Sequence, residues 1–225
     1  MSDVREQAGS EPALAPAWLV EPLRGPLSRL ARYELWIVTV AAAAILIPGI
    51  WSYSLIDPWE THYGEVARRM LEDHDWVQLK WQNENFDSKP VLTFWLMAAG
   101  MKAMGLAADG GYSGELATSA LSAVAIRLPF VLFGIFGLVA TWWMLARLAS
   151  RRVAWLSFLI LATTPFYFFV ARQGITDMPM VAALMGSVAC VAMVVAQRDG
   201  PLENIWRRFN GLHIFLAFLV VTVGA

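Results

Sequence analysis

Long runs of apolar residues, almost free of charge, constrain this chain most. With 58% hydrophobic and 16% charged residues, it is too apolar for an ordinary soluble domain. A helix needs about 20 mostly apolar residues to cross the hydrocarbon of a bilayer. We therefore predict an all-α integral membrane protein, a multi-span helical bundle. The predicted spans are residues 35–56, 128–148, 153–171, 178–196 and 212–225.

Arginines flank the predicted spans on one side of the membrane. They precede the first span, end the second and follow the fourth. Under the positive-inside rule they mark the cytoplasmic side of a cytoplasmic (inner) membrane. Residues 1–33 are then a cytoplasmic N-terminal tail, and residues 57–127 form a long outer loop. The arginines concerned are Arg24, Arg29, Arg32, Arg147, Arg151, Arg152, Arg198, Arg207 and Arg208.

Three smaller features refine this prediction. Residues 91–106 are apolar but short for a span, and Lys102 interrupts them, so we expect an interfacial helix there. Pro48 predicts a kink in the first span. The net charge of −1 suggests no nucleic-acid partner, and the single Cys190 can form no internal disulfide.

Ionisable residues gather just outside the first span, in Asp57-Pro-Trp-Glu-Thr-His-Tyr-Gly-Glu65. Asp57 as N-cap, Pro58 at the first helical position and Glu60 at the third would make a capping-box-like helix start. The carboxylate of Asp57 could also serve as a base at the bilayer surface. Glu65 lies three and four residues before Arg68 and Arg69, which predicts surface ion pairs.

Other polar residues of the outer side have two readings each. His62 is a metal ligand or proton shuttle, or a polar-face residue of an interfacial helix. Lys89 snorkels to lipid head groups, or it contacts the phosphate of a lipid-linked donor. Asp87 helps to hold a cation or solvates its turn. Asp177 caps the fourth span or takes part in function, and Arg172 is a nearby partner for it.

Arg127 stands at the outer entrance of the second span. We read it as an anchor that snorkels to the membrane surface.

Several of these segments together resemble the first outer loop of the GT-C membrane glycosyltransferases. The resemblance is to the superfamily of protein O-mannosyltransferases and lipid A aminoarabinose transferases. It rests on Glu60-Thr-His-Tyr-Gly-Glu-Val-Ala-Arg-Arg-Met70, Asp75-Trp76 and Phe86-Asp-Ser-Lys-Pro-Val-Leu-Thr-Phe-Trp95. Arg127-Leu-Pro129 and Thr176-Asp-Met-Pro179 also stand where such proteins carry similar motifs.

The resemblance implies a truncated GT-C fold, with residues 34–225 as the amino-terminal part of the transmembrane catalytic domain. It implies a polyprenyl-phosphate-linked sugar as donor, a lipid or protein as acceptor, contact with membrane lipids, and inversion at the anomeric carbon. In such enzymes an acid after the first span is the catalytic base, and the lysine before the proline, here Lys89, contacts the donor phosphate. No cofactor is implied for certain, and a divalent metal remains open, with Asp87 as its candidate ligand.

One departure from the family pattern affects the base. The family's Asp-Glu pair is replaced by Trp59-Glu60, and the nearest aspartate is Asp57. Asp57 or Glu60 is therefore the candidate base, with Asp57 slightly favoured. We expect His62, Tyr63 and Asp177 to line the site.

Two alternatives need no sugar transfer. A non-catalytic membrane scaffold, or a protein that binds lipid head groups, would use the same residues for capping and snorkelling alone. A transporter would need polar or discontinuous elements at mid-bilayer, and the spans offer few.

Overall fold

The computed structural model describes residues 33–82, 84–108, 111–112 and 120–196. These residues form seven α-helices and two short antiparallel hairpins. The helices are α1 (Glu34–Leu46), α2 (Trp59–Asp73), α3 (Val91–Ala103), α4 (Ala120–Leu148), α5 (Arg151–Thr163), α6 (Pro165–Val170) and α7 (Asp177–Ala196). The strands are β1 (Lys80–Trp81), β2 (Glu84–Asn85), β3 (Ala107–Ala108) and β4 (Gly111–Tyr112). The predicted tail, apart from Tyr33, and the predicted span 212–225 lie outside the described residues.

Helix α4 is the centre of the bundle. It packs against α1, α3, α5 and α7, and its side chains Ile126, Phe130 and Leu138 are fully buried. At 1.5 Å per residue its 29 residues extend roughly 43 Å. In the described part of the chain, α4 is the one helix long and apolar enough by itself to cross a membrane. Helices α1 and α3 and residues 177–192 are apolar but shorter.

The first predicted span is wrong at its end. Helix α1 ends at Leu46, and residues 47–52 turn where the prediction continued the helix to Ile56. Pro48 has no N–H to donate to the carbonyl four residues earlier, so it ends the helix instead of kinking it. Gly49 follows with a φ of +79°, a left-handed conformation that glycine adopts without strain.

Three other predicted spans fare differently. Helix α7 begins at Asp177, one residue before the predicted start at 178, and is described as far as Ala196. Helix α4 is described from Ala120 onward, so it already includes residues before the predicted start at 128, and it carries Pro129 inside it. The predicted span 153–171 divides into α5 and α6 at Thr164, whose ψ of 119° is extended. A residue before a proline disfavours the helical conformation, which explains the break before Pro165.

Helix α3 covers residues 91–103 of the helix predicted at 91–106, and it packs closely on α4. Phe94, Met97 and Met101 are fully buried. A Cβ added to Gly100 would lie 2.0 Å from the Ala125 carbonyl oxygen, so only glycine allows this approach. In a regular helix the N–H of residue 129 would donate to the carbonyl of residue 125. Pro129 has no N–H, so the Ala125 carbonyl lacks this helical hydrogen bond.

The bundle has two distinct ends. At one end Arg151, at the start of α5, forms a 2.9 Å ion pair with the buried Glu34 at the start of α1. This agrees with the predicted grouping of the N-terminal side with the Arg147–Arg152 turn. The opposite end carries the α1–α2 loop, the start of α3 and the α6–α7 turn.

Candidate active site at the loop end of the bundle

A buried ion pair joins helices α2 and α4 at this end of the bundle. Glu60, in the first turn of α2, and Arg127, inside α4, are 67 residues apart in sequence. Their side chains are 1% and 0% exposed. The guanidinium binds the carboxylate through two bonds, from Nη2 to Oε2 at 2.6 Å and from Nε to Oε1 at 2.8 Å. Such bidentate pairs are the strong ones, because both partners are charged and planar.

Every remaining donor of Arg127 is bound to the α1–α2 loop. Nη1 donates to the carbonyls of Ile50 at 2.6 Å and Tyr53 at 2.9 Å, and Nη2 donates to Ser54 at 2.8 Å. Since arginine has five N–H donors, all five are used. The ring of Tyr53 also covers the guanidinium, at 3.8 Å from its centroid. Arg127 therefore fixes the shape of this loop, and the prediction of a snorkelling anchor is wrong.

The carboxylate of Glu60 likewise has all its hydrogen-bond acceptor sites occupied. Besides Arg127, its Oε1 accepts the backbone N–H of Gly174 at 2.8 Å, and its Oε2 accepts that of Ile56 at 2.8 Å. A carboxylate has about four lone-pair sites, and four donors occupy them here. The carboxylate holds the α6–α7 turn and the start of α2, which leaves it no free lone pair for a proton from a substrate.

Asp57 is exposed and does not cap α2. The N-cap position is Pro58, and no side chain caps the helix. Thr61 Oγ1 instead donates to Asp57 Oδ1 at 2.8 Å. The capping prediction is therefore wrong for Asp57, although Glu60 does reach back to a backbone N–H, as in a capping box.

A pocket of about 160 Å³ lies beside this junction. Its lining comes from the start of α2, the segment just before α3, the α6–α7 turn and the first residue of α7. The lining residues are Trp59, Tyr63, Lys89, Ile175, Thr176 and Asp177. Three residues predicted from the sequence, Lys89, Tyr63 and Asp177, therefore lie together. Asp57 and His62 are not among the lining residues.

The pocket is lined by one cationic side chain, one anionic side chain and one phenol. Lys89 and Asp177 are exposed, and they form no ion pair with each other among the described contacts. Tyr63 is buried, and burial followed by the negative charge of Asp177 raises its pKa above the usual value. The phenol thus stays protonated near neutral pH and can donate a hydrogen bond.

Trp59 forms part of the wall of this pocket. Its side chain is 57% exposed. Among the described residues that line the pocket, Asp177 supplies the carboxylate.

His62 belongs to an aromatic cluster instead of the pocket. Its ring stacks on Trp81 at 3.7 Å between centroids and lies 5.0 Å from Phe86. Its Nε2 is buried without a partner in the described structure. Burial lowers the pKa of this imidazole below its usual value. A neutral ring that supports β1 and α2 fits these contacts, and a site-lining role does not.

The surrounding charges serve local structure. Glu65 pairs with Arg68 at 2.6 Å and Arg69 at 3.0 Å, which confirms that prediction. Hydrogen bonds from Arg68 hold the pKa of Glu65 below its usual value. Arg172 does not pair with Asp177 and donates to the Pro48 carbonyl at 2.5 Å.

The described residues offer little for a metal ion. Asp87 is exposed, and among them no group of three or more histidine, cysteine, aspartate or glutamate side chains could hold one.

Sequence reasoning missed the Glu60–Arg127 pair. The available signal was an arginine flanked by Ile126 and Leu128 at the entrance of an apolar run. A charge placed in a helix of this kind needs a partner, and the outer loop supplies the acids.

Curated relatives match this chain over part of their length. An undecaprenyl phosphate-alpha-4-amino-4-deoxy-L-arabinose arabinosyl transferase from Erwinia tasmaniensis is 25% identical over 178 residues, which are 79% of this chain and 29% of that protein. A second such transferase, from Pseudomonas fluorescens, is 26% identical over 105 residues, 47% of this chain and 18% of that protein. The chain thus spans less than a third of the length of these relatives.

Two solved structures share the fold. ArnT from Cupriavidus metallidurans bound to undecaprenyl phosphate gives a TM-score of 0.67 at 19% identity, over 85% of this chain and 32% of ArnT. Its apo state gives 0.59 at 21% identity, over 79% and 30%. These matches confirm the all-α integral membrane fold of the GT-C type.

The model of a protein family covers most of the chain. It is the dolichyl-phosphate-mannose-protein mannosyltransferase family, and the match extends over residues 36–222. The chain therefore belongs to the dolichyl-phosphate-mannose-protein mannosyltransferase family.

Proposed function

We propose that this chain forms the donor-binding part of a membrane glycosyltransferase. The enzyme moves a sugar from polyprenyl phosphate to a lipid or protein acceptor at the outer face of the cytoplasmic membrane. The observation that carries this proposal is the pocket in which Lys89, Tyr63 and Asp177 meet. The names of the relatives, which include undecaprenyl phosphate, support the class of carrier.

Lys89 is the donor-phosphate contact in this proposal. Its ammonium has three N–H donors and is exposed in the pocket, and no carboxylate of the described residues pairs with it. When the bond between the anomeric carbon and the phosphate oxygen breaks, negative charge grows on the phosphate. A cation placed there stabilises the leaving group as it departs.

Asp177 is the carboxylate best placed to act as base. The acceptor oxygen must lose a proton as it attacks the anomeric carbon, which lies one bond from the phosphate oxygen. The base must therefore lie close to the phosphate contact, and Asp177 shares its pocket. Attack opposite to the leaving phosphate inverts the anomeric carbon. Asp57, favoured from the sequence, is the second candidate because it is exposed just before α2.

The orientation of the bundle follows from the same proposal. The end with the Glu34–Arg151 ion pair faces the cytoplasm, and the pocket faces outward. The arginines near the first end support this direction.

The test measures sugar transfer by membranes that carry the native gene product. A panel of radiolabelled polyprenyl-phosphate sugars identifies the donor. Replacing Lys89 with Ala or Asp177 with Asn should lower turnover at least about 100-fold, as expected for loss of a base or of an electrostatic contact. Lys102→Ala, which removes an exposed lysine from the end of α3, should leave turnover unchanged.

Two outcomes decide between the alternatives. Full turnover by Lys89→Ala, with the protein inserted, would contradict the enzyme proposal and favour a head-group-binding scaffold. Full turnover by Asp177→Asn with loss in Asp57→Asn would move the base to Asp57.

A further inference from the structure

A second cleft, of about 320 Å³, lies at the same end of the bundle. It is formed by the α1–α2 loop and the segment from α6 to the following turn. The lining residues are Ser52, Tyr53, Ile56, Phe168, Phe169, Arg172 and Gln173. Among the described residues that line it, Arg172 is the one charged residue, so the cleft favours an anion.

The Arg172 guanidinium has N–H donors that no acceptor of the described residues takes. Its Nη2 donates to the Pro48 carbonyl at 2.5 Å, and the group lies 4.5 Å from the centroid of the Phe168 ring. Among the described residues it forms no ion pair. Arg127, by contrast, uses all five of its N–H groups on protein atoms. The contact with Pro48 orients Arg172, and its remaining N–H groups suit two oxygens of one phosphate.

The surroundings of the cleft suit a lipid. Phe169 within the cleft is 60% exposed, and Trp51 beside Ser52 is 51% exposed. Aromatic side chains of this kind concentrate at the membrane–water interface. Hydrocarbon can therefore pass along Phe169 while the head group stays at Arg172.

The two clefts are separated by the buried junction. Arg172 and Gln173 line the second cleft, whereas Ile175 and Asp177 line the first. Between these residues in the sequence, Gly174 is buried and donates its backbone N–H to Glu60. A molecule at Arg172 therefore does not occupy the pocket of Lys89.

We propose that the second cleft binds a lipid with a phosphate monoester head group, held by Arg172, with its chain beside Phe169. The site is separate from the sugar-donor pocket, and the proposal does not depend on the transfer reaction.

Calorimetric titration of the native gene product in detergent micelles tests this. The probe is dioctanoyl phosphatidic acid, with dioctanoyl phosphatidylcholine and inorganic phosphate as comparisons. Arg172→Gln should weaken phosphatidic acid binding about 10- to 100-fold, as expected for a lost charged hydrogen bond. Gln173→Glu, which adds a negative charge to the lining and keeps Arg172, should weaken it as well.

Controls separate this site from other cations. Lys102→Gln removes an exposed positive charge outside both clefts, and Lys89→Ala removes the cation of the first pocket. Neither should change the affinity by more than about two-fold if Arg172 holds the head group.

Three results would overturn the proposal. They are unchanged affinity in both cleft variants, equal binding of phosphatidylcholine, and equal binding of inorganic phosphate. If Arg172→Gln does not fold, Gln173→Glu decides. Loss of binding in Lys89→Ala alone would place the lipid in the first pocket.

Discussion

Replacing Glu60 with Gln tests the buried junction most directly. The change keeps the size of the side chain and removes its charge. The amide would place an NH₂ group where a carboxylate oxygen now accepts two donors. At least one pair of N–H groups would then face each other. The Arg127 guanidinium would remain buried, at 0% exposure, without a counter-charge.

The expected loss of stability is large because both side chains lie out of water. Removing one partner of a buried ion pair costs about 3–5 kcal/mol. That lowers the ratio of folded to unfolded protein by about two to four powers of ten. The same Glu→Gln change at Glu72, whose ion pair with Arg68 is partly exposed, should cost less than about 1 kcal/mol.

Reversible unfolding in mixed micelles, with increasing sodium dodecyl sulfate, measures both variants against the unchanged protein. A loss for Glu60→Gln within about 1 kcal/mol of that for Glu72→Gln would refute the reasoning. Native stability combined with lost sugar transfer would return Glu60 to the role of base.

Two further predictions concern pH and packing. Because burial lowers the pKa of His62, the unfolded state takes up its proton first as the pH falls below about 6.5. Stability should therefore decline on acidification from that pH until the folded imidazole also protonates. His62→Phe should lose this part of the decline, and an identical pH profile would contradict the assignment. Gly100→Ala should cost about 1–3 kcal/mol or more, because its Cβ meets the Ala125 carbonyl. Ala99→Ser, at an exposed position beside it, should be nearly neutral in the same unfolding measurement.

Local patterns predicted the helices well where nothing distant interferes. Helix α7 covers an apolar run of residues, and its start agrees with the prediction within one residue. Helix α1 ends at Leu46 because Pro48 lacks the N–H donor that would continue the helix. The residues after Pro48 are apolar, so the prediction extended the span through them. Hydrophobicity reports the environment of a segment, whereas a single missing N–H decides where its helix ends.

The candidate site was predictable in part. Lys89, Tyr63 and Asp177 were expected together, because the side assignment put their segments on one face of the membrane. The role of Glu60 was not predictable, since it depends on Arg127 and Gly174, 67 and 114 residues away. Pairing over such separations is set by how the helices pack, which the local pattern does not contain.

Apart from the bonds between them, Glu60 and Arg127 form their hydrogen bonds with main-chain atoms. Arg127 binds the carbonyls of Ile50, Tyr53 and Ser54, and Glu60 binds the N–H groups of Ile56 and Gly174. Every residue type except proline can present these same atoms. The loop can therefore exchange exposed side chains, such as that of Ser54, without losing its course. Two charged residues thus hold the backbone at the edges of both clefts. The exposed side chains there can change without altering the fold, so that related proteins can bind other ligands.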